Sequence, residues 1–300
     1  MYRIGIDLGG TNIAAGVVDE SQHIVAEVSV STGAERGAEA VVADICRAAE
    51  LAMAKAGLTA AHCASIGIGS PGTCDGSRGV VVRAYNLGWF NVPVCDMVTA
   101  QLGLPCRLSN DANCAALAET VAGAAVGCRN MVLVTLGTGV GVGIVSDGKL
   151  LEGVGGTGAE AGHAILVLDG EPCTCGRKGC WEAYGSATAL IRQGRRAALA
   201  HPESRLARCG DALTAKDVFD AADGGDKTAQ AVLAQYYVYV AAGVTDLVNI
   251  LGPEMVLIGG GISRQGERLL SPVREYVAAN CFGGHDRLPP VIEAARLGNE

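Results

Sequence analysis

Aromatic side chains are scarce in this 300-residue chain, with three Phe, two Trp and seven Tyr against 43 Gly. With so few rings and so many glycines, much of the chain is expected to be turns where backbone approaches backbone or ligand. Basic runs are absent too. The 23 Lys and Arg are scattered and the net charge is −8, which argues against nucleic acid or an anionic membrane as a partner. No basic-then-apolar signal segment precedes the first strand, so the expected compartment is the reducing cytoplasm, and the 12 Cys are not expected to form a disulfide framework. An unbroken membrane-spanning run is missing as well. Between Ala229 and Leu251 the apolar residues are interrupted by Gln235, Thr245, Asp246 and Asn249, which reads as a helix buried between layers. There is no linker or low-complexity tract. At this length two lobes are expected, a small α/β lobe over 1–109 and a larger one over 110–300.

Four potential metal ligands fall between His163 and Cys180, three of them in the pattern Cys-x-Cys-Gly-x-x-Gly-Cys formed by Cys173, Cys175 and Cys180. One imidazole and three thiolates complete a tetrahedral shell for a structural zinc ion and leave no open position for metal catalysis. Gly176 and Gly179 let the backbone turn tightly around such an ion, which scattered core cysteines would not require. Glu160 precedes His163 by one helical turn and Glu182 follows Cys180 by two residues, so the metal loop would fix two carboxylates.

Glycine-rich turns between strands recur along the chain. Arg3 to Leu8 reads as a strand, Gly9-Gly10-Thr11 as a turn, and Ile13 to Val18 as a second strand, with a third from Ile24 to Val30. Asp7 at the end of the first strand suits a magnesium ion held through water, while the Thr11 hydroxyl and neighbouring amides suit phosphate oxygens; an ordinary hairpin turn is the competing reading. The arrangement repeats at Met131 to Leu136, Gly137-Thr138-Gly139 and Val140 to Val145. A third cluster, Gly259-Gly260-Gly261, lies between the strand Glu254 to Ile258 and a helix expected over Ser263 to Ala279, and could face a nucleobase or ribose or be a plain turn. The dinucleotide fingerprint fails at Val142, where glycine is required and no helix follows. Further helices are expected over Ala34 to Ala56, Pro93 to Leu102 and from Lys216, and a strand over Ser65 to Ser70.

Asp111 follows a short strand, Pro105 to Ser109, and starts the alanine-rich helix Ala112 to Val121. It could cap that helix, or act as the base that accepts a sugar hydroxyl proton during phosphoryl transfer, with Asn110 aligning the sugar. Glu160, His163 and Glu182 offer donors and acceptors for the hydroxyls of a ring, His163 through the nitrogen that a metal would leave over; solvated helix starts are the alternative for the two acids. Gly72, in Ser70-Pro71-Gly72, would let backbone approach the ring or simply close a Pro-Gly turn.

These segments together resemble the family of bacterial repressors, open-reading-frame proteins and sugar kinases, the ROK family. The resemblance runs through Asp7-Leu8-Gly9-Gly10-Thr11, Asn86-Leu87-Gly88-Trp89, Asn110-Asp111-Ala112-Asn113, the Leu136 to Gly141 turn, Glu160 to His163, the cysteine knuckle and Gly259 to Gly261. It implies a two-lobed α/β fold of the actin-like ATPase, ribonuclease H-like type with a zinc-binding loop. It implies a kinase that uses ATP and magnesium, with Asp111 as general base and Gly72, Asn86, Asn110, Asp111, Glu160, His163 and Glu182 on the hexose. The nucleotide contacts implied are Asp7, Gly9, Gly10, Thr11, Asn12, Gly137, Thr138, Gly139, Gly260 and Gly261. Within the family, NLGWFNVP and LVTLGTGVGVG look most like the glucokinases, so glucose phosphorylated at its 6-hydroxyl is the expected reaction. Mannose, fructose, N-acetylmannosamine and N-acetylglucosamine stay open as acceptors, as do polyphosphate as donor and a sugar-sensing protein without turnover. Family repressors carry a helix-turn-helix before the first strand, and none is expected where that strand starts at residue 3. Relatives continue beyond the equivalent of Glu300 through an apolar helix that returns to the first lobe, and they usually form dimers, so a homodimer is expected.

Overall fold

The computed structural model describes residues 1–284 and 288–297. The expectation about the carboxyl end falls beyond them. The chain divides into two compact units, Met1–Ala115 with Glu152–Gly158, and Ala116–Leu151 with Ala159–Glu300.

In the first unit the elements run β1 (Tyr2–Leu8), β2 (Asn12–Val18), β3 (Ile24–Ser31), α1 (Ala38–Lys55), β4 (Cys63–Ser70), β5 (Thr73–Asp75), β6 (Val80–Ala84), β7 (Trp89–Val92), α2 (Val94–Leu102), β8 (Cys106–Asn110) and the start of α3 (Asp111–Ala122). Five strands form one sheet in the order β3-β2-β1-β4-β8, and β5-β6-β7 form a small second sheet. Period-two alternation buries Ile4, Ile6 and Leu8 of β1 and leaves Asp7 outward. The apolar stripe of α1, Val41, Val42, Ile45, Ala49 and Ala52 among others, shares a core with those strand residues. Because β1, β4 and β8 are parallel and in register, Asp7, Gly69 and Ser109 lie on one rung at the carboxyl edge of the sheet. That edge is where α/β sheets present their ligand sites.

The second unit contains the rest of α3, then β9 (Met131–Leu136), β10 (Val140–Ser146), β11 (Lys149–Leu150), α4 (Glu182–Gly185), α5 (Ala187–Ala200), α6 (Arg205–Cys209), α7 (Ala215–Asp223), α8 (Lys227–Leu251), β12 (Met255–Gly259), α9 (Glu267–Asn280) and β13 (Val291–Ala294). Its sheet, β11-β10-β9-β12-β13, repeats the plan of the first: an antiparallel hairpin whose leading strand is flanked by a parallel neighbour. The helix α8 is long and apolar enough by length and composition to cross a membrane, and half of its most apolar window is buried within the protein. Asp226 caps it by accepting from the Ala229 amide at 3.0 Å. Tyr236 in its middle is wholly buried and donates to the Gly185 carbonyl at 2.8 Å, as expected of a core helix.

Two expected helices start later than their residue patterns suggest. A single 3-10 turn covers Ala34–Arg36, then Gly37 at φ 86 breaks the path and α1 begins at Ala38. Likewise a 3-10 turn over Gly261–Gln265 ends at Gly266, φ 55, before α9 starts at Glu267. A left-handed glycine cannot continue a right-handed helix.

Candidate functional site

In the first unit the β1–β2 turn is fixed before any ligand arrives. The Gly9 amide donates to the Asn12 carbonyl at 2.9 Å, and fully buried Thr32 donates from its hydroxyl to the Gly9 carbonyl (2.7 Å) and from its amide to the Thr11 carbonyl (2.8 Å). A Cβ on Gly9 would stand 2.9 Å from that Asn12 carbonyl, too close for any larger residue. Asn86 lies against the same turn, its Nδ2 only 3.2 Å from where a Cβ of Gly10 would be. Asp7, Gly9, Gly10, Thr11, Asn12 and Asn86 are thus brought together.

Asn110 and Asp111 divide two tasks at the start of α3. Asn110 Oδ1 accepts from the amides of Ala112 (2.9 Å) and Asn113 (3.4 Å), while its Nδ2 donates to the Gly72 carbonyl at 3.1 Å. Asn110 is therefore the capping residue. Asp111 is the first residue inside the helix, and its Oδ1 accepts the neighbouring Ala112 amide at 2.8 Å. The cap is already supplied, so the helix start does not account for the Asp111 carboxyl. Gly72, at φ 85, has no room for a side chain, since a Cβ would lie 2.1 Å from the Arg83 carbonyl. It packs the Pro-Gly turn onto β6 and offers its carbonyl to Asn110.

Two carboxyls on this edge, Asp7 and Asp111, have raised proton affinity. Both side chains reach solvent, yet the surrounding protein desolvates them and lifts the pKa of each, with the Asp7 charge adding to the lift at Asp111. Two thiols nearby, Cys74 and Cys114, are driven by burial to about 12, reinforced by Asp111 and Glu152. Negative charges gathered this closely suit a divalent cation. Glu152 reaches the strand that carries the pair, accepting from Ser109 Oγ at 2.5 Å. Thr32, Ser109 and Glu152 escape a sequence reading because each is identified only by a partner distant in the chain.

In the second unit the Gly137-Thr138-Gly139 turn is closed by the Gly137 amide donating to the Gly139 carbonyl at 3.0 Å, and the Ala187 amide donates to the Gly137 carbonyl at 2.9 Å. Gly260, φ 78, presses on the same strand end: its Cβ would sit 2.5 Å from the Leu136 carbonyl, so the second and third glycine turns are neighbours, with open space beside Gly261. Glu160 precedes a 3-10 turn over Ala161–His163 in which the His163 amide donates to the Glu160 carbonyl at 3.0 Å. Gly162 in that turn packs on Val140, whose carbonyl would be 2.1 Å from an added Cβ. Glu182 meets the same residue, Oε2 accepting from the Val140 amide at 3.1 Å. Glu160, His163 and Glu182 are thus gathered at the start of β10.

The four expected metal ligands converge. His163, Cys173, Cys175 and Cys180 place one donor atom each within 4.8 Å of all the others. Cys173 Sγ is 3.6 Å from His163 Nδ1, and Cys175 Sγ is 3.6 Å from Cys180 Sγ, edge lengths that fit a tetrahedron around zinc with bonds of about 2.0–2.3 Å. Nδ1 faces the cluster, which leaves Nε2 for another partner. Gly176 (φ 87) and Gly179 (φ 81) are both left-handed, the backbone that the knuckle pattern calls for.

Known proteins resemble this chain over nearly its whole length. The profile of the ROK family matches residues 3–300. A glucokinase from Halalkalibacterium halodurans is 37% identical over all of this chain and 92% of its own length, and one from Thermotoga maritima is 40% identical over 98% and 94%. Among solved structures, a ROK family glucokinase from Streptomyces griseus in complex with glucose and AMPPNP superposes with a TM-score of 0.84 at 38% identity, covering 99% of this chain and 95% of that one. With paired sheets, glycine turns and cysteine knuckle in place and the profile spanning nearly every residue, the chain belongs to the ROK family and has the mixed α/β fold of its sugar kinases.

Proposed function

We propose that this protein is a glucokinase that transfers the γ-phosphoryl group of ATP to the 6-hydroxyl of glucose, with Asp111 as general base. The observation that carries the base assignment is the division of labour at α3. Asn110 caps the helix, and Asp111 projects a carboxyl of raised proton affinity at the sheet edge that also holds Asp7. Its Oδ1 is oriented by the Ala112 amide, and Oδ2 takes the hydroxyl proton as the sugar oxygen bonds to phosphorus and the bond to ADP breaks. The amides and hydroxyl of Gly9, Gly10, Thr11 and Asn12 and the turn Gly137, Thr138, Gly139 bind phosphate oxygens, and Gly260 and Gly261 receive the nucleoside. Asp7 would hold a magnesium ion, which when bound would supply positive charge to the transferring phosphoryl group. Gly72, Asn86, Asn110, Glu160, His163 and Glu182 are the residues assigned to sugar hydroxyls. His163, Cys173, Cys175 and Cys180 hold zinc, whose part is to keep the knuckle in shape.

Support for glucose over other hexoses comes from full-length relatives that are glucokinases at 37–40% identity. The test is ADP release, followed by a coupled assay, over a panel of glucose, mannose, fructose, N-acetylglucosamine and N-acetylmannosamine. Glucose is expected to show the highest kcat/KM. Another sugar ahead of it overturns the acceptor assignment, and glucose binding without ADP release from any sugar overturns the kinase reading in favour of a sensor.

A further inference from the structure

Glu182 uses its two carboxylate oxygens on two different structures. Oε2 accepts from the Val140 amide at 3.1 Å, immediately after the Gly137–Gly139 turn, and Gly139 leaves it that space: a Cβ there would lie 2.2 Å from Oε2. Oε1 accepts from Thr174 Oγ1 at 3.2 Å and has Cys173 Sγ at 3.6 Å, both on the knuckle. The backbone beneath Glu182 is anchored independently. Buried Trp181 donates from Nε1 to the Tyr239 carbonyl at 2.9 Å and fills the space over Gly243. With its Cα held from behind, the carboxylate direction is set by Thr174 on one side and Val140 on the other.

We infer that Glu182, oriented by Thr174, is a positioning residue for the nucleotide turn, so that affinity for the phosphate tail of a nucleoside triphosphate depends on an intact metal knuckle even when no sugar is present. This rests on the reading of the Gly137–Gly139 turn as a phosphate cradle. When the knuckle loosens, Thr174 no longer directs Oε1, the hold of Oε2 on the Val140 amide relaxes, and the turn loses its pre-set shape. A preformed cradle binds more tightly because the ordering cost has already been met in folding.

The test is calorimetric titration of the sugar-free, full-length protein with magnesium and AMPPNP, zinc content being measured in every sample. Thr174→Val, which keeps all four metal ligands, is expected to retain zinc yet weaken AMPPNP by about threefold to tenfold, the scale of one charge-assisted hydrogen bond only partly transmitted. Thr174→Ser is expected to restore the parent value within about twofold. Chelating zinc from the parent should weaken the nucleotide likewise, whereas chelation in Glu182→Ala should add nothing, the non-additivity that a shared pathway requires. Equal nucleotide affinity in parent and Thr174→Val overturns the inference, as does an undiminished chelation effect in Glu182→Ala. A zinc-loaded parent that binds no AMPPNP at all overturns the cradle reading itself.

Discussion

At the scale of single residues, the proposed base role is tested most directly at Asp111. Replacing Asp111 by Asn keeps the oxygen that accepts from Ala112 and removes the proton acceptor. Turnover is expected to fall by about 10²–10⁴-fold while glucose affinity measured by calorimetry stays within about threefold. The same variant should melt higher than the parent at neutral pH. The folded-state pKa of Asp111 is raised, so the stability it contributes is present below the unfolded-state value and lost as pH rises through the folded one. At neutral pH its ionised form therefore costs stability that Asn does not, and a Tm no higher than the parent's would contradict the assignment. By the same sign, the acid limb of kcat/KM in the parent should lie above the ordinary aspartate value of 3.8, read from a pH profile. The sequence singled out this residue as either helix cap or base, and left open which residue caps α3. Asn and Asp both cap helices well, and only the register of α3 decides which does so. Thr32 was not legible, because a buried threonine that ties two carbonyls of a distant turn, one through its hydroxyl and one through its amide, looks like any strand-end threonine.

At the scale of elements, the hairpins, their glycine turns and the parallel partners could be read from alternation and punctuation, since strands with one buried face write their geometry into the sequence. Helix starts were less legible. Gly37 and Gly266 end one local path and begin another through a change of sign in φ, which composition does not reveal. Inside α8, Gly243 shows how tertiary packing reverses a local preference. Alanine in a helix interior ordinarily gains up to about 1 kcal/mol over glycine. Here a Cβ would stand 2.0 Å from the buried Trp181 ring, so Gly243→Ala is expected to destabilise by about 1–3 kcal/mol, measured by denaturant unfolding followed through tryptophan fluorescence.

At the scale of the whole molecule, two cores and two tryptophans coincide: Trp89 belongs to the core of the first unit and Trp181 to that of the second. Trp89→Phe and Trp181→Phe therefore leave one reporter each. Removing zinc, or replacing Cys175 by Ser, is expected to lower the midpoint seen by Trp181 by several degrees and to leave that seen by Trp89 nearly unchanged, as thermal melts with and without chelator would show. The Cys175→Ser protein should also hold less zinc and show a raised KM for sugar, through looser placing of Glu160 and Glu182. What no local pattern announces is that Glu152–Gly158 belongs with the first unit. Besides the Glu152 side chain on Ser109, the contact is made by bare backbone, Gly156 lying so close to the Cys74 carbonyl that a Cβ would be 1.7 Å away. This has a consequence for biosynthesis. A ribosome that has delivered Ala115 has not yet supplied the strip that finishes the amino-terminal body, and must first translate three strands of the other one. The nascent chain has to wait with β8 unsecured, and a gene split at that point would encode an incomplete fragment, whereas a circular permutant that keeps the strip with its body would not.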